Sequence, residues 1–171
     1  MNILSGRYKG LNIKTSKSLS YRPTSSRVRK SIFDILGSLQ GLSVLDMFAG
    51  SGILGFEAAS RGASILTFVD NNRKVIDLIK TNSNKLNNEV KSYVYYSQWD
   101  KFLKQQNQYD IIFADPPYGK INIDQLAKKC FSSLLKDGRF ILESSKRDDI
   151  PSGGVSRNYG ETIVTIWTKT V

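Results

Sequence analysis

The feature that most constrains the fold is a regular alternation of segments that begins at residue 42. Apolar runs of strand length alternate there with segments of helix length. The pattern predicts strands over 42–47, 65–69, 93–96, 110–114 and 139–143, and helices over 53–61, 72–87, 99–106 and 122–135. Strands that alternate with helices are joined by right-handed crossovers into a parallel sheet covered on both faces. We therefore expect an α/β fold with a doubly wound, mostly parallel sheet.

Both ends of the chain depart from this alternation. The segments 155–158 and 162–169 flank Tyr159-Gly160-Glu161, and Thr, Ile, Val and Trp alternate in the second segment, which predicts an antiparallel hairpin at the sheet edge. Ahead of the core, the segments 2–5 and 11–15 predict a small hairpin. We divide the chain into a small basic N-terminal extension, 1–40, and a core, 41–171, within one domain.

Thr24 is predicted to cap a helix within the N-terminal extension. The apolar stripe of that helix is predicted to be Val28, Ile32, Ile35 and Leu36. Arg27 and Lys30 are then expected to point away from the stripe.

Positive charge is concentrated in the extension. The 171 residues carry 25 Lys and Arg against 15 Asp and Glu, a net charge of +10. Residues 1–40 hold eight of the basic side chains and one acidic one. An excess of this kind predicts a polyanionic partner such as RNA. The side chains expected to contact RNA are Arg7, Lys9, Arg22, Arg27, Arg29 and Lys30.

Composition also excludes several kinds of site. The chain has no histidine, which removes histidine metal ligands and imidazole bases, and its one cysteine leaves no zinc site. We therefore expect no metal. A single cysteine also favours a reducing, cytoplasmic compartment, and no apolar stretch approaches the length of a membrane span.

A strand, a glycine turn and a helix follow one another in Val44-Leu45-Asp46-Met47-Phe48-Ala49-Gly50-Ser51-Gly52-Ile53-Leu54-Gly55. Glycines at the carboxyl end of a first strand let the backbone approach a ligand, and the helix N-terminus offers free amides. The three glycines also fit the GxGxxG dinucleotide pattern. Asp46, however, favours S-adenosylmethionine over a dinucleotide. Its carboxylate attracts the cationic amino and sulfonium groups of S-adenosylmethionine, whereas it would repel a pyrophosphate.

Asp70 closes the second predicted strand, eighteen residues after Gly52. A carboxylate at this position of a doubly wound sheet accepts hydrogen bonds from the ribose hydroxyls of an adenosine cofactor. Alternatively, the Asp70 side chain caps the following helix, a role for which Asn71 is the other candidate.

A second motif, Asp115-Pro116-Pro117-Tyr118, follows a buried predicted strand. The prolines fix the backbone. An exocyclic base amine donates two hydrogens, which the Asp115 carboxylate and the Pro116 carbonyl are expected to accept. Tyr118 then offers a face on which the base can stack. The motif therefore predicts methyl transfer to such an amine, and we take Asp115, Pro116, Pro117 and Tyr118 as the catalytic candidates.

Several motifs together resemble the ribosomal small-subunit methyltransferase D family over residues 3–168. They are Arg22-Pro23-Thr24, Arg27-Val28-Arg29, the segment 45–52, Glu57-Ala58, Ser60-Arg61-Gly62-Ala63, Asp115-Pro116-Pro117-Tyr118 and Tyr159-Gly160-Glu161-Thr162. The resemblance implies a class I, Rossmann-like methyltransferase fold. It also implies guanine-N2 methylation of 16S rRNA, with the assembled small subunit or its precursor as substrate. The fold itself argues for a monomer by default.

The sequence departs from that family before the fourth strand. The family carries an Asp or Asn that meets the adenine amine of the cofactor, whereas this chain has Gln98, with Asp100 as a substitute. A Gln carbonyl also accepts such a hydrogen bond. The predicted cofactor residues are Thr24, Asp46, Phe48, Ala49, Gly50, Gly52, Asp70, Asn71 and Gln98.

The expected reaction is direct transfer to the guanine N2, without a covalent enzyme intermediate. Three other interpretations remain open. DNA adenine-N6 or cytosine-N4 methylation uses the same motif, although about forty residues outside the core are few for a DNA-recognition domain. An NAD-dependent oxidoreductase would fit GxGxxG but not Asp115-Pro116-Pro117-Tyr118. A non-catalytic RNA-binding assembly factor would retain the fold without the transfer.

Overall fold

A single seven-stranded sheet organises the molecule in the computed structural model, which describes residues 1–16 and 24–170. The strands are β1 (Ser43–Met47), β2 (Ile65–Asp70), β3 (Lys91–Tyr96), β4 (Tyr109–Ala114), β5 (Leu134–Ser145), β6 (Val155–Tyr159) and β7 (Thr162–Thr168). Their order across the sheet is β3-β2-β1-β4-β5-β7-β6. The first five are parallel, and β7 pairs antiparallel with both β5 and β6. The predicted doubly wound sheet with its closing hairpin is confirmed.

Helices cover both faces of the sheet, and each face has its own apolar cluster. They are α1 (Ser26–Leu36), α2 (Ile53–Ser60), α3 (Arg73–Ser83), α4 (Trp99–Phe102) and α5 (Ile123–Ser132), and α4 continues as a 3₁₀ turn over Leu103–Gln105. No helix within residues 1–16 and 24–170 is long and apolar enough to cross a bilayer.

Two predicted boundaries in the second half of the core are wrong. The helix predicted over 122–135 ends at Ser132, and the strand predicted over 139–143 runs from Leu134 to Ser145. Leu134 pairs with Tyr109, the register then shifts, and pairing resumes between Arg139 and Ile111. Asp137 adopts a left-handed φ of 61° within this irregularity. The apolar pair at 134–135 therefore fits the helical pattern of the sequence, although it starts a strand.

The helix predicted over 72–87 is also shorter than expected, since α3 ends at Ser83. The segment 84–90 that follows it is rich in Asn, a residue that favours turns over helix interiors. The helix predicted over 99–106 is divided into α4 and its 3₁₀ turn, after which Gln106 adopts a left-handed φ of 55°.

The N-terminal helix differs from its prediction at two residues. The Oγ of Ser25, not a side-chain atom of Thr24, accepts the Val28 amide and caps α1. Ile35 lies outside the buried stripe and is 37% exposed, whereas Phe33 is fully buried. The helical period places residue 33, next to residue 32, on the inner face.

The N-terminal segment packs against α2 through Glu57. The amides of Leu4 and Ser5 donate to its two carboxylate oxygens at 2.8 and 3.2 Å. Ile3 and Ile13, on the two sides of a short antiparallel bridge at Asn2 and Asn12, enter the apolar cluster that also contains α1 and α2. The predicted small hairpin is present as this bridged pair, and its apolar side chains contribute to the core.

Candidate active site

A cavity of about 450 Å³ lies at the carboxyl edge of the parallel strands. From β1 the chain adds β2 and β3 on one side, and it then returns to add β4 and β5 on the other side of β1. The gap between β1 and β4 is therefore a topological switch point, where ligands bind in open α/β sheets. The cavity brings together residues that are far apart in the sequence. Its predicted members are Thr24, Asp46, Phe48, Ala49, Gly50, Asp70, Asn71, Gln98, Asp115, Pro116, Pro117 and Tyr118.

The turn after β1 has an uncommon backbone. Phe48, Gly50 and Gly52 have φ angles of 56°, 53° and 74°. Phe48 and Gly50 line the cavity, whereas Gly52, predicted to bind cofactor, does not. A Cβ at Gly52 would lie 2.8 Å from the Phe56 ring. The glycine at 52 therefore permits the left-handed turn and the packing that start α2.

Gly55 allows α2 to lie close to the sheet. A Cβ at this position would lie 2.3 Å from the Phe68 ring of β2, a distance that real Cβ atoms do not reach. Its amide donates to the Asp46 Oδ2 at 3.0 Å. The third glycine of the pattern thus serves helix packing and fixes a carboxylate of the cavity wall.

Asp46 is a buried acid at the end of β1. Burial raises its pKa to about 8, and the Asp70 carboxylate adds to the rise, while the Gly55 amide opposes it. A cationic group in the cavity would stabilise the ionised form, because opposite charges at short range favour ionisation. Asp46 is therefore suited to a positively charged ligand, which would add to the Gly55 amide in stabilising its carboxylate.

Asp70 at the end of β2 connects the glycine turn to α3. Its Oδ2 accepts the Gly50 amide at 3.1 Å, and its Oδ1 accepts the Asn72 amide at 2.9 Å. Burial raises the pKa of this carboxyl as well. The side chain that caps α3 is that of Asn72, which accepts the Lys74 amide, so neither Asp70 nor Asn71 is the cap.

Gln98 lies on the cavity wall, and Asp100 does not. The Asn71 amide nitrogen donates to the Gln98 Oε1 at 3.4 Å, so the two predicted cofactor residues contact each other. Asp100 lies in the first turn of α4. Of the two candidates for the adenine contact, the geometry favours Gln98.

The Asp115-Pro116-Pro117-Tyr118 motif also lines the cavity, and it directly follows β4. Pro116 is buried, and Tyr118 is 36% exposed. The Tyr118 hydroxyl lies 3.3 Å from the Oγ1 of Thr162, a buried residue at the start of β7. The closing hairpin therefore helps to orient the tyrosine.

Eight lining residues were not predicted. They are Ser51, Ile53, Leu54, Asn72, Val75, Trp99, Ile121 and Glu143. Glu143 is 6% exposed, and the predicted strand 139–143 ends at it. Carboxyl ends of adjacent parallel strands meet at one edge, so this position was a detectable signal. Trp99 follows Gln98, and the Lys129 ammonium lies 5.1 Å from its ring centroid.

The basic side chains predicted to contact RNA fall into distinct environments. Lys9 and Arg27 are exposed, Arg7 is exposed and paired with Glu89, and Lys30 pairs with Asp34 at 2.6 Å. Arg22 lies outside the described residues.

Arg29 does not fit the predicted RNA contact. It is 1% exposed, its guanidinium lies 3.6 Å from the Glu57 carboxylate, and it donates to the Asn2 carbonyl. Arg29 belongs to the inner face of α1, where it serves the core. Within the described ranges, no group of three or more acidic or cysteine side chains is arranged to hold a metal.

Comparison with known proteins agrees with the fold and the motifs. The family profile described as conserved hypothetical protein 95 matches residues 1–168. The ribosomal RNA small subunit methyltransferase D of Haemophilus influenzae is 34% identical over 155 residues, which are 86% of this chain and 80% of that one.

Solved structures share the architecture. A hypothetical protein of Thermus thermophilus superposes with a TM-score of 0.83 at 28% identity, covering 100% of this chain and 99% of that one. The protein SMU.776, solved in complex with S-adenosylhomocysteine, has a TM-score of 0.61 at 21% identity over 82% of this chain and 48% of that one. This chain thus belongs to the ribosomal small-subunit methyltransferase D family and has its class I methyltransferase fold.

Proposed function

We propose that this chain transfers a methyl group from S-adenosylmethionine to the exocyclic N2 amine of a guanine in 16S rRNA. The observation that carries the proposal is the single cavity that joins the Asp46 and Asp70 wall to the Asp115-Pro116-Pro117-Tyr118 wall. A cofactor site and an acceptor site must share one space for direct transfer, because the reacting atoms have to meet at near-attack distance.

The cofactor end of the cavity fits S-adenosylmethionine. The volume of about 450 Å³ is in the range of small-molecule sites. We assign Asp46 as the negative charge for the cationic groups, Asp70 as the acceptor for the ribose hydroxyls, and the Gln98 carbonyl as the acceptor for the adenine amine. S-adenosylmethionine supplies an electrophilic methyl group when bound.

The acceptor end fits an amine on a flat ring. We assign the Asp115 carboxylate and the Pro116 carbonyl as acceptors for the two amine hydrogens. Tyr118, oriented by Thr162, provides the stacking surface. When both amine hydrogens are held in hydrogen bonds, the nitrogen lone pair turns toward the methyl group of the cofactor. The same hydrogen bonds stabilise the positive charge that develops on the nitrogen. Asp115 is also the proton acceptor that we propose for the product amine.

The proposal of rRNA as substrate rests on the family and on charge. The Haemophilus relative is named as a small-subunit rRNA methyltransferase, and this chain carries a net charge of +10. Exposed Lys9 and Arg27 are proposed to contact phosphates, which supply the salt-sensitive part of RNA affinity. The base must be unpaired or flipped for its amine to enter the cavity. We place the reaction in the cytoplasm, on the small subunit or its assembly intermediate, with the enzyme acting as a monomer.

The test is incubation with tritiated S-adenosylmethionine and one of three substrates: unmodified small subunits, naked 16S rRNA or duplex DNA. Nucleoside analysis follows. Label recovered as N2-methylguanosine from 16S rRNA is the expected result. Label only in DNA adenine or cytosine would replace the proposal with DNA methylation. Cofactor binding and rRNA binding without any transfer would instead establish a non-catalytic assembly factor.

A further inference from the structure

Exposed tyrosines are concentrated on the edge strand β3, away from the catalytic motif. Tyr93, Tyr95 and Tyr96 are 48%, 37% and 58% exposed. In the described part of the chain they are three of the seven large apolar side chains with exposure of this size. Because β3 is the first strand in the sheet order, its outer edge has no neighbouring strand within the sheet.

Two of these tyrosines share one face. Tyr93 and Tyr95 lie opposite Thr67 and Val69 of β2, and they alternate with Val94, which packs into the core on the other side. The pleat separates their Cα atoms by about 6.6 Å along the strand. The Tyr95 ring contacts Phe102 of α4, with 5.1 Å between the centroids. The four-residue α4 and its 3₁₀ turn cover only part of this face.

Lysines lie near the two tyrosines in the sequence, on β3, on α4 and on its 3₁₀ turn. Residues 91–104 contain three lysines and one acid, and all three lysines, Lys91, Lys101 and Lys104, are exposed. We call Tyr93, Tyr95 and these three lysines the tyrosine face. Lys101 and Lys104 flank Phe102, the residue that Tyr95 contacts. The tyrosine face therefore combines flat apolar rings with a net positive charge.

Packing accounts for only part of this arrangement. Tyr is common in strands, and Tyr95 beside Phe102 completes a ring contact. Tyr93, however, leaves about half of its surface to solvent. Aromatic rings on a basic surface are the usual means of binding single-stranded nucleic acid, because bases stack on the rings and lysines hold phosphates.

We propose that the tyrosine face binds unpaired rRNA nucleotides by stacking, as a second contact beside the catalytic cavity. The inference rests on the proposed function, since it supplies the substrate class. The same strand leads to Gln98, which lines the cavity, so RNA held on Tyr93 and Tyr95 lies close to the site. The face would hold bases that flank the target in the folded rRNA and would not select the target base itself.

The test compares two double variants in fluorescence anisotropy with a labelled twelve-nucleotide single-stranded oligouridine. Tyr93→Thr with Tyr95→Thr keeps β propensity and removes both rings, whereas Tyr93→Phe with Tyr95→Phe keeps the rings. We expect the threonine variant to bind about tenfold more weakly or worse, and the phenylalanine variant to bind as the parent does. Val155→Thr removes exposed apolar surface from β6 at the other end of the sheet and should change nothing.

Two further measurements decide the remaining cases. If the threonine double variant does not fold, the double variant Lys101→Gln with Lys104→Gln tests the same face. We expect the slope of log affinity against log salt to fall by about 1.4, because two phosphate contacts to a single strand are lost. Unchanged oligouridine affinity in the ring and lysine variants would overturn the proposal. If the parent protein sediments as a dimer, and the threonine double variant sediments as a monomer with unchanged RNA affinity, the tyrosine face would instead bind a second copy of the chain. Parent protein that fails to methylate rRNA would reject the proposed function alone, because oligouridine binding is measured without the reaction.

Discussion

Asp46, a proposed cofactor residue, is protonated in the ligand-free fold over a pH range in which an exposed carboxyl group is ionised. The carboxyl group is buried at the end of β1, and its pKa is about 8 instead of the ordinary value near 4. Between these two pH values the folded protein holds a proton that the unfolded chain releases. The stability contributed by this group is therefore full at low pH and is lost as pH rises through the folded pKa.

Replacing Asp46 with Asn should reverse this loss. The amide keeps an oxygen for the Gly55 amide and removes the titration. We expect the variant to gain stability over the parent as pH rises from 5 to 7.5, by up to about 1.4 kcal/mol per pH unit. Urea denaturation at several pH values measures the difference. A constant difference across this range would contradict the prediction.

Asp115→Ala should separate chemistry from cofactor binding. The variant loses the proposed acceptor of the amine hydrogens and keeps the Asp46 and Asp70 side chains that we propose for the cofactor. We expect kcat to fall by about 10²-fold or more, with S-adenosylhomocysteine affinity near that of the parent. Asp124→Ala, on the exposed start of α5, is the control. Equal loss of rate and of ligand affinity would assign Asp115 a different role.

Thr162→Val should act through Tyr118. Valine keeps the shape but removes the hydroxyl beside the tyrosine, so the stacking ring loses a fixed orientation. We expect kcat/KM for rRNA to fall about fivefold, which corresponds to a hydrogen bond of about 1 kcal/mol. Thr162→Ser should restore most of the activity. A valine variant with parental kcat/KM would show that Tyr118 is held by other contacts.

At the scale of elements, Glu57 explains why the N-terminal segment and α2 act together. Its carboxylate accepts the Leu4 and Ser5 amides and lies within 3.6 Å of the Arg29 and Arg61 guanidinium groups. Arg29 and Glu57 are both almost fully buried. The resemblance to the family at 57–62 is thereby given a structural meaning, since this part of α2 receives the N-terminal segment.

Glu57→Ala should destabilise the fold strongly. It leaves the Arg29 charge buried without its carboxylate, which costs about 3–5 kcal/mol in comparable pairs. The variant should unfold at lower urea concentration than the parent. Glu89→Ala breaks the exposed pair with Arg7 and should change stability little. If both variants lowered the free energy of unfolding by similar amounts, burial of the Arg29–Glu57 pair would not explain its contribution to stability.

The sequence predicted the sheet because each parallel strand is an apolar run bounded by turn residues. It predicted most of the cavity because the glycine turn, Asp70 and the Asp115 motif all follow strands. It missed Glu143, although the predicted strand 139–143 ends at this residue and so marked it as a candidate. Arg29 was misassigned because the charge of a side chain does not reveal a buried carboxylate 28 residues away.

For the whole molecule, some of the basic side chains in the N-terminal extension are buried or paired with acids. Among the N-terminal cations, Arg29 is buried, and Arg7 and Lys30 have acidic neighbours on the surface. Arg27 is exposed on the outer face of α1. The N-terminal cations available to RNA are therefore fewer than the eight basic side chains of residues 1–40 indicate.

Arg27→Gln should weaken binding to 16S rRNA and reduce its salt dependence. Removing one phosphate contact lowers the slope of log affinity against log salt by about 0.7–0.9. Filter binding over a range of KCl concentrations measures the slope. Lys80→Gln, on exposed α3, is the matched control. An unchanged slope for Arg27→Gln would exclude a phosphate contact at this residue.

The position of β7 has a consequence for biosynthesis. It is the last strand in chain order, yet it lies between β5 and β6, and it pairs with the strand that carries Glu143. During translation, β5 has no partner on this side until β7 has left the exit tunnel. Thr162, which orients Tyr118, emerges at the same late stage. A nascent chain therefore lacks the contact between Thr162 and Tyr118 until β7 has been synthesised and has paired with β5.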